Sequence, residues 1–558
     1  MMYKFIPQDK QYEIFQVVDT KTLQPVEMFD NVKMAKSKLF SNDIFDFENN
    51  TFTIVSSHVR NLNDIPGVLN IRVTHGRYKD KFLYVCKPDD KRLPSFLIPY
   101  KKPYNFDKST KHIYITFTFD NWDNDLPKGS MKQNFGSIEV LDNYYEYILY
   151  CKSLNASIQK FTKTTKTKLE NTSSEQVVHN ISTKYNLEYV SKKDEFIFTL
   201  DASSSNDHDD ALSYNENERK TTIYITNVAL IVDYLELWNS FTKRISTMYL
   251  PDKRRTMLPT VLNECLLSLN EKKDKICYAL EIFYDKDDKI IRHRVKICKV
   301  YISKNYSHEE DIDNFSRNKC YNRLISLFNA EGSKDLVTKS MIYFNTYIAH
   351  YLCDTNMGVY RNITPILCDN SENKETLKLP KNVYEHMRRI KTNASKYSLH
   401  QDVEEDAQLY LQASSPIRRL VDILNNIAIL NAVKDKEKIE LNEMNCFYDS
   451  WTSDQQLDYI NMSSRSIRKV QSKCHIYSQY ISNKEMNISQ IYTGYVFDKI
   501  IKYDGKYQYM VYIPSINLTT YATFSEDFEN YTSHDFNLFV FMNQEQDKNK
   551  IKLHLVPS

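Results

Sequence analysis

Glycine is scarce in this sequence, at 8 of 558 residues, where a chain of this length would carry roughly forty. Neither GxGxxG nor GxxxxGK[ST] occurs, so nucleotide-binding sites built on glycine-rich phosphate loops are excluded. The ten cysteines are spread along the chain and none forms a CxxC pair. A zinc ribbon or zinc knuckle is therefore not expected.

Long apolar segments and an excess of one charge are also missing. No run of eighteen apolar residues occurs, so no transmembrane helix is expected. The N-terminus MMYKFIPQDKQYEIF has neither the apolar core of a signal peptide nor a transit-peptide composition, which predicts a cytoplasmic protein. The net charge is +2, from 74 Lys and Arg against 72 Asp and Glu, so overall charge does not by itself indicate a nucleic-acid-binding protein.

The distribution of β-type and helical segments predicts a multi-domain α+β protein. Short β-rich segments dominate the first 145 residues and the last seventy, and five strand candidates near the C-terminus match the count of an OB barrel. Between them, helical and strand patterns alternate, and the Thr- and Lys-rich segment 159–175 predicts an exposed linker. The predicted organisation is an OB-type barrel at 1–62, a second at 63–145, a helical and polar linker at 146–182, a large mixed domain at 183–487 and a C-terminal OB-type barrel at 488–558.

Negative charge is concentrated in one short stretch, DASSSNDHDDAL, which follows the apolar strand candidate EFIFTL. Two ionised carboxylates 4 Å apart repel by about 4 kcal/mol at an effective dielectric constant near 20. Such crowding is unfavourable without a cation, and Mg²⁺ takes carboxylates together with substrate phosphate. We call Asp201, Asp207, Asp209 and Asp210 the aspartate cluster and interpret it as a metal site, with a solvated acidic loop as the alternative. An EF-hand is rejected, because Leu212 stands where its glycine is required.

A second motif, YLQASSPIRRLVD, places two arginines at the start of an apolar helix. A helix N-terminus already favours anions, so Arg418 and Arg419 there indicate a bound phosphate, which arginine contacts with two parallel hydrogen bonds. The alternative is a pair of arginines neutralised by Asp422 or by the acidic run 404–406.

Together, these two motifs resemble the signatures of the ribonuclease II family of RNB-domain exoribonucleases. The family's first signature is Asp-x5-Asp-x-Asp-Asp-Ala after a strand, and its second is Tyr-x4-Ser-Pro-Ile-Arg-Arg-x2-Asp. Other segments agree, among them TMYLPDKRRTMLP, GVYRNI and IYTGYVFDKI. The resemblance runs from about residue 63 to the end and implies two cold-shock-type barrels, an RNB catalytic domain at 183–487 and a C-terminal RNA-binding barrel.

The resemblance implies a processive 3′→5′ hydrolytic exoribonuclease that degrades single-stranded RNA to nucleoside 5′-monophosphates with Mg²⁺, or with Mn²⁺ in its place. By position, Asp201, Asp207 and Asp210 would ligate the metal, and Asp209 would position the RNA 3′ end or a second ion. Arg418 would stabilise charge on the scissile phosphate, and Tyr249 would stack on a base. Further RNA contacts are assigned to Arg419 and Tyr410, and a monomeric catalytic unit is expected.

Several positions depart from the family pattern. Thr338-Lys339 stands where acidic residues are usual, Leu420 where tyrosine is usual and Asn426-Ile427 where His-Arg is usual. His208 replaces an apolar residue between two aspartates, and we expect its ring to point outward. The competing hypothesis is therefore an RNA-binding protein with the RNB fold and weak or no catalysis, or a subunit of an RNA-processing complex.

Overall fold

The computed structural model describes most of the chain, with gaps. The described residues are 2–9, 12–29, 37–102, 112–309, 318–355, 357–361, 379–384, 386–387, 396–399, 409–433, 442–482, 491–543 and 548–556. The acidic run 404–406 and the predicted boundary at 487/488 lie outside them.

The chain divides into two compact units. Unit 1 comprises Met1–Asn155, Leu250–Asp252 and Lys469–Ser558, and unit 2 comprises Ala156–Tyr249 and Lys253–Arg468. The finer domain boundaries named above stay predictions.

The first sixty residues of unit 1 form a four-stranded antiparallel sheet with the order β2-β1-β3-β4. Its core is aromatic, with Phe5 and Phe45 almost fully buried. The strands are β1 Met2–Pro7, β2 Phe15–Asp19, β3 Ile44–Glu48 and β4 Thr51–Ser56.

The next segment of unit 1 is a closed five-stranded barrel with the order β5-β6-β7-β9-β8, the strand count of an OB fold. Four of the eight glycines lie in its strands, and two of them, Gly67 and Gly129, are closely packed. A Cβ at Gly67 would lie 2.6 Å from the Cys86 sulfur, and one at Gly129 would lie 2.5 Å from the Thr118 carbonyl oxygen, so close strand packing requires glycine at both positions. The strands are β5 Ile65–Tyr78, β6 Lys81–Pro88, β7 Phe96–Tyr100, β8 Ile113–Asn121 and β9 Lys128–Ser137.

Unit 2 is built on a six-stranded sheet with the order β10-β17-β11-β12-β13-β16. Because β17 also pairs with β16, the strand pairing closes on itself around a core that contains Ile197, Tyr224 and Cys277. The strands are β10 Glu188–Val190, β11 Ile197–Asp201, β12 Asp210–Asn215, β13 Lys220–Thr226, β16 Lys273–Tyr284 and β17 Ile290–Ser307; two short ladders join β14 Met248–Tyr249 to β15 Arg254–Arg255, and β18 Val359–Arg361 to β19 Tyr397–Leu399.

The helices are α1 Leu141–Cys151, α2 Gln159–Leu169, α3 Ser174–Lys184, α4 Val228–Tyr234, α5 Lys319–Leu327, α6 Ser333–Leu352, α7 Leu420–Val433, α8 Asn442–Thr452 and α9 Asp454–Ser482, with a short π-helix at Val261–Leu267. Helix α2 lies in the segment predicted as an exposed linker. It forms because Phe161 and Thr165, four residues apart, share one helical face and are both buried. No helix in the described ranges has the length and apolarity needed to cross a membrane.

The C-terminal part of unit 1 is a five-stranded antiparallel sheet with the order β22-β21-β20-β23-β24. Its core contains Tyr509, Val511 and Phe536. The strands are β20 Ile491–Ile501, β21 Tyr507–Ile513, β22 Leu518–Phe524, β23 Ser533–Asn543 and β24 Lys548–Leu555.

Candidate active site

The aspartate cluster lies where two neighbouring strands of unit 2 meet a loop. Strand β11 ends at Asp201 and β12 begins at Asp210. The loop between them is held by backbone hydrogen bonds: the His208 N–H donates to Ser268 Oγ at 3.0 Å, and the Leu269 N–H donates to the His208 carbonyl at 3.0 Å. These hydrogen bonds therefore fix the backbone that carries the aspartate cluster.

The second motif is a loop at the N-terminus of α7, and asparagine side chains hold it in place. Asn345 of α6 donates to Tyr410 Oη at 3.1 Å and to Ser414 Oγ at 3.2 Å, and its Oδ1 accepts from the Ala413 N–H at 2.9 Å. Asn425 donates to the Gln412 carbonyl at 2.8 Å. Buried asparagines thus satisfy the backbone groups of a loop that has no strand partner over most of its length.

The two motifs meet at Asp209. Its Oδ1 accepts a hydrogen bond from the Ile417 N–H at 2.9 Å across 208 residues of sequence, and its Oδ2 lies 3.3 Å from Nε of Arg418. The Asp209 side chain is 2% exposed, whereas the Arg418 side chain is 47% exposed. The carboxylate is therefore fixed inside the protein, and the side chain of the arginine beside it is partly exposed.

Tyr249 is attached to the same region through the backbone. The Thr247 N–H donates to the Arg418 carbonyl at 3.0 Å, and the Leu420 N–H donates to the Ile245 carbonyl at 2.9 Å. Tyr249 is 41% exposed. The residue predicted to stack on a base is therefore partly exposed in unit 2, next to the arginine loop.

His208 does not point outward, so that prediction was wrong. Its Nδ1 lies 2.6 Å from Oδ2 of Asp201, and its side chain is only 14% exposed. The two backbone hydrogen bonds of His208 fix the direction of the Cα–Cβ bond, and the carboxylate offers the ring nitrogen a partner. His208 therefore belongs to the charged site.

Asp207 also has a basic partner. Oδ2 of Asp207 accepts from Nη1 of Arg254 at 2.9 Å, and the other terminal nitrogen of Arg254 binds Glu264. Asp207 Oδ1 is buried and has no hydrogen-bond partner among the described residues. One oxygen of this buried carboxylate is thus fixed and the other is unsatisfied.

Burial raises the pKa values of Asp207, Asp209 and Asp210. Burial raises the pKa of Asp209 to about 7, against the opposing effect of Arg418. The pKa of Asp210 is raised well above its ordinary value, mainly by burial and to a smaller extent by the charges of Asp201 and Asp209. A cation near these carboxylates would favour their ionised forms.

The carboxylate oxygens of the cluster are the type of ligand that hard divalent cations such as Mg²⁺ bind. Asp207 Oδ1, in addition, lacks a hydrogen-bond partner among the described residues. In the part of the chain that the structure describes, however, no three His, Cys, Asp or Glu side chains are arranged as a metal site. Two of the expected ligands, Asp201 and Asp207, are instead turned towards His208 and Arg254. The assignment of Asp201, Asp207 and Asp210 as metal ligands stays a prediction.

Arg419 and Tyr410, the other predicted RNA contacts, are engaged within the protein. Nε of Arg419 lies 2.9 Å from Oδ2 of the fully buried Asp422, and its Nη2 donates to Oδ1 at 2.9 Å. Tyr410 is partly buried and accepts a hydrogen bond from Asn345. Arg419 is thus neutralised by Asp422, as in the alternative interpretation of the arginine pair. Arg418 instead contacts Asp209.

The positions that depart from the family pattern have local structural roles. Leu420 and Ile427 are fully buried, and Asn426 donates to the Ala413 carbonyl at 3.1 Å. Thr338 is exposed on α6, and Lys339 pairs with Asp335 at 2.9 Å. None of these departures removes a member of the aspartate cluster or Arg418.

Sequence reasoning missed the residues that hold the site together: Arg254, Glu264, Ser268 and Asn345. Arg254 lies in TMYLPDKRRTMLP, a segment that resembles the family. The adjacent arginines 254 and 255 in this segment are a sequence signal that could have identified Arg254 as a site residue. Glu264 and Asn345 carried no local signal, because their partners lie on other elements.

Two segments of the chain match models of known protein families. The RNB domain family model matches residues 190–320, and the model of the Dis3-like cold-shock domain 2 matches residues 83–152. The first match includes the aspartate cluster and Tyr249. The predicted resemblance to the ribonuclease II family is thus confirmed, over the residues that the two models match.

Curated relatives match over short segments. Ribonuclease R of Chlamydia pneumoniae is 26% identical over 141 residues, which cover 25% of this chain and 21% of the relative. Ribonuclease R of Aquifex aeolicus is 31% identical over 97 residues, which cover 17% of this chain and 14% of the relative. The chain therefore aligns with about a fifth or less of the length of these relatives.

Solved structures match over nearly the whole chain. Mycoplasma genitalium RNase R in complex with ribose methylated single-stranded RNA has a TM-score of 0.66 at 13% identity, covering 99% of this chain and 100% of that chain. Yeast Ssd1, a pseudonuclease, has a TM-score of 0.57 at 12% identity, covering 96% and 80%. These matches confirm the predicted fold class, a multi-domain α+β architecture with OB-type barrels and an RNB domain.

Proposed function

We propose that this protein is a hydrolytic exoribonuclease that degrades single-stranded RNA processively from the 3′ end to nucleoside 5′-monophosphates, with Mg²⁺. The observation that carries the proposal is the junction at Asp209, where the aspartate cluster and the arginine loop come into direct contact. Perturbed carboxylates beside a partly exposed arginine are typical of functional sites rather than of solvated loops.

In this proposal Asp201, Asp207 and Asp210 would hold the metal ion. When bound, such an ion activates water and stabilises the leaving oxygen of a phosphodiester. Asp209 would position the RNA 3′ end or a second ion. The Arg418 guanidinium, already oriented by Asp209 and Ser415, would bind the scissile phosphate and stabilise the charge that develops on it.

RNA is supported as the substrate by the relatives, which are ribonucleases, and by the solved complex of one of them with single-stranded RNA. The exposed ring of Tyr249 gives a base a surface for stacking, an interaction that is tolerant of sequence. A directional 3′→5′ reaction follows from the family resemblance.

The second candidate is an RNA-binding protein without catalysis. The contact Asp201–His208 favours it, because it occupies an oxygen that a metal would use. The fold likeness to a pseudonuclease is consistent with it.

One experiment separates the two. The full chain is incubated with 5′-labelled single-stranded RNA and Mg²⁺, beside Asp209→Asn and, as a matched control, Asp288→Asn, an acid of unit 2 outside the cluster. We expect wild type and Asp288→Asn to shorten the RNA from its 3′ end, and Asp209→Asn to bind RNA without shortening it. RNA binding with no shortening by any of the three proteins would establish the second candidate.

A further inference from the structure

Arg254 is the side chain that fixes one of the proposed metal ligands. Its Nη1 donates to Asp207 Oδ2 at 2.9 Å, and the Asp207 side chain is 5% exposed. A guanidinium that binds one oxygen of a buried carboxylate restricts the rotation of that carboxylate. The direction of Asp207 Oδ1 is therefore set by Arg254.

Asp207 Oδ1 is the oxygen left for a ligand. It is buried and has no hydrogen-bond partner among the described residues. An unsatisfied buried carboxylate oxygen is costly, and native proteins usually provide it with a donor or a cation. In the Asp207 carboxylate, Oδ2 is thus bound to Arg254 and Oδ1 can bind a cation.

Arg254 is itself held from two sides. Its second terminal nitrogen binds Glu264, which lies on the π-helix Val261–Leu267, and single π-helical turns occur often at functional sites. In the backbone ladder Arg254 pairs directly with Tyr249. The same residue therefore connects the proposed base-stacking ring, the π-helix and the aspartate cluster.

We propose that Arg254 is a positioning residue of the metal site: it holds Asp207 by Oδ2 so that Oδ1 faces a divalent cation, and Glu264 holds Arg254 in place. This inference rests on the proposed metal-dependent function. Hydrogen-bonded partners of metal-ligating carboxylates orient their ligands, and losing one typically weakens metal affinity about 10–100-fold.

The test measures metal binding in the absence of RNA, so that activity is not the readout. Mn²⁺ is titrated into the full chain, and free Mn²⁺ is followed by electron paramagnetic resonance. We compare wild type with Arg254→Met, Arg254→Lys and Glu264→Gln. Arg323→Met is the matched control, because Arg323 also pairs with a partly exposed acid, Asp288, and the two pairs have similar exposures, 29% and 42% against 25% and 39%.

We expect Arg254→Met to weaken Mn²⁺ binding at least tenfold, Arg254→Lys to recover part of it and Arg323→Met to leave it unchanged. Glu264→Gln removes a partly exposed side chain's charge with little risk to folding, and we expect it to weaken binding severalfold. Unchanged or tighter binding by Arg254→Met and Glu264→Gln, with wild-type binding intact, would overturn the positioning role alone. Absence of Mn²⁺ binding by wild type would overturn the metal-dependent function as well.

Discussion

Oδ2 of Asp209 and Nε of Arg418 lie 3.3 Å apart, although one residue precedes β12 and the other precedes α7. The pair is asymmetric, because the carboxylate is buried and the guanidinium is half exposed. Asp209 also accepts the Ile417 N–H, so the arginine loop stays attached when the Arg418 side chain is changed. Replacing Arg418 therefore keeps the loop attached but removes the charged partner of a buried carboxylate, so a functional test of Arg418 needs a stability control.

Replacing Arg418 by methionine should lower the rate of RNA cleavage about 10²–10³-fold, the usual loss when one preorganised donor to a developing charge is removed. Arg418→Lys should be intermediate, because an ammonium cannot make the paired hydrogen bonds of a guanidinium. Single-turnover cleavage of labelled RNA measures the effect, with the melting temperature as a control. A wild-type rate in Arg418→Met would rule out its proposed role.

Arg419→Met should instead destabilise unit 2. Removing this arginine leaves Asp422 charged and fully buried, and breaking a buried pair from one side costs about 3 kcal/mol or more. The double variant Arg419→Met/Asp422→Asn should recover part of the loss, since asparagine keeps an acceptor for the Ser415 N–H without a charge. Calorimetric melting of the three proteins measures this. An unchanged melting temperature in Arg419→Met would mean that the pair contributes little.

The contrast between adjacent arginines shows what the sequence could predict. The motif YLQASSPIRRLVD located both residues, and the alternative of neutralisation by Asp422 was visible in the spacing of three residues. Which arginine pairs with Asp422 depends on the turn that precedes α7, and the sequence of the motif does not specify that turn. The placement of Asp201 at a strand end was likewise readable from the apolar pattern of EFIFTL, whereas Asp210 was expected in the loop and instead begins β12.

Other features could not be read because their causes are long-range. Strand β9 is the polar segment KGSMKQNFGS, which has no apolar alternation and becomes a strand because β8 pairs with it. The inward direction of His208 depends on Ser268 and Leu269, some sixty residues away in sequence. The Arg254–Glu264 contact depends on the π-helix Val261–Leu267, which the preceding motif TMYLPDKRRTMLP does not specify.

Tyr249→Ala should weaken binding of single-stranded RNA by about 1–3 kcal/mol, the usual contribution of one base stacked on an aromatic ring. Tyr249→Phe should bind nearly as well as wild type, because stacking needs the ring and not the hydroxyl. Fluorescence anisotropy in EDTA measures affinity without cleavage. Tyr189→Ala is the matched control, since its ring is 44% exposed against 41% for Tyr249. Equal losses in both alanine variants would show that Tyr249 has no special position.

Lys275 makes the stability of unit 2 depend on pH, and the direction of this dependence can be derived. Its side chain is buried, and Nζ donates to the Cys265 and Leu266 carbonyls at the end of the π-helix. Burial lowers the pKa of Lys275 from 10.5 to about 8. Between these two values the unfolded chain binds the proton and the folded chain does not, so this residue's destabilising effect decreases as the pH rises.

The expected result is that wild type gains stability relative to Lys275→Met when the pH is raised from about 7.5 to about 9.5, by roughly 2 kcal/mol from the linkage relation. Comparing the two proteins removes the contribution of cysteines and tyrosines, which are common to both. Melting temperatures measured at a series of pH values test this. A constant difference between the two proteins across that range would mean that Lys275 keeps an ordinary pKa in the folded state.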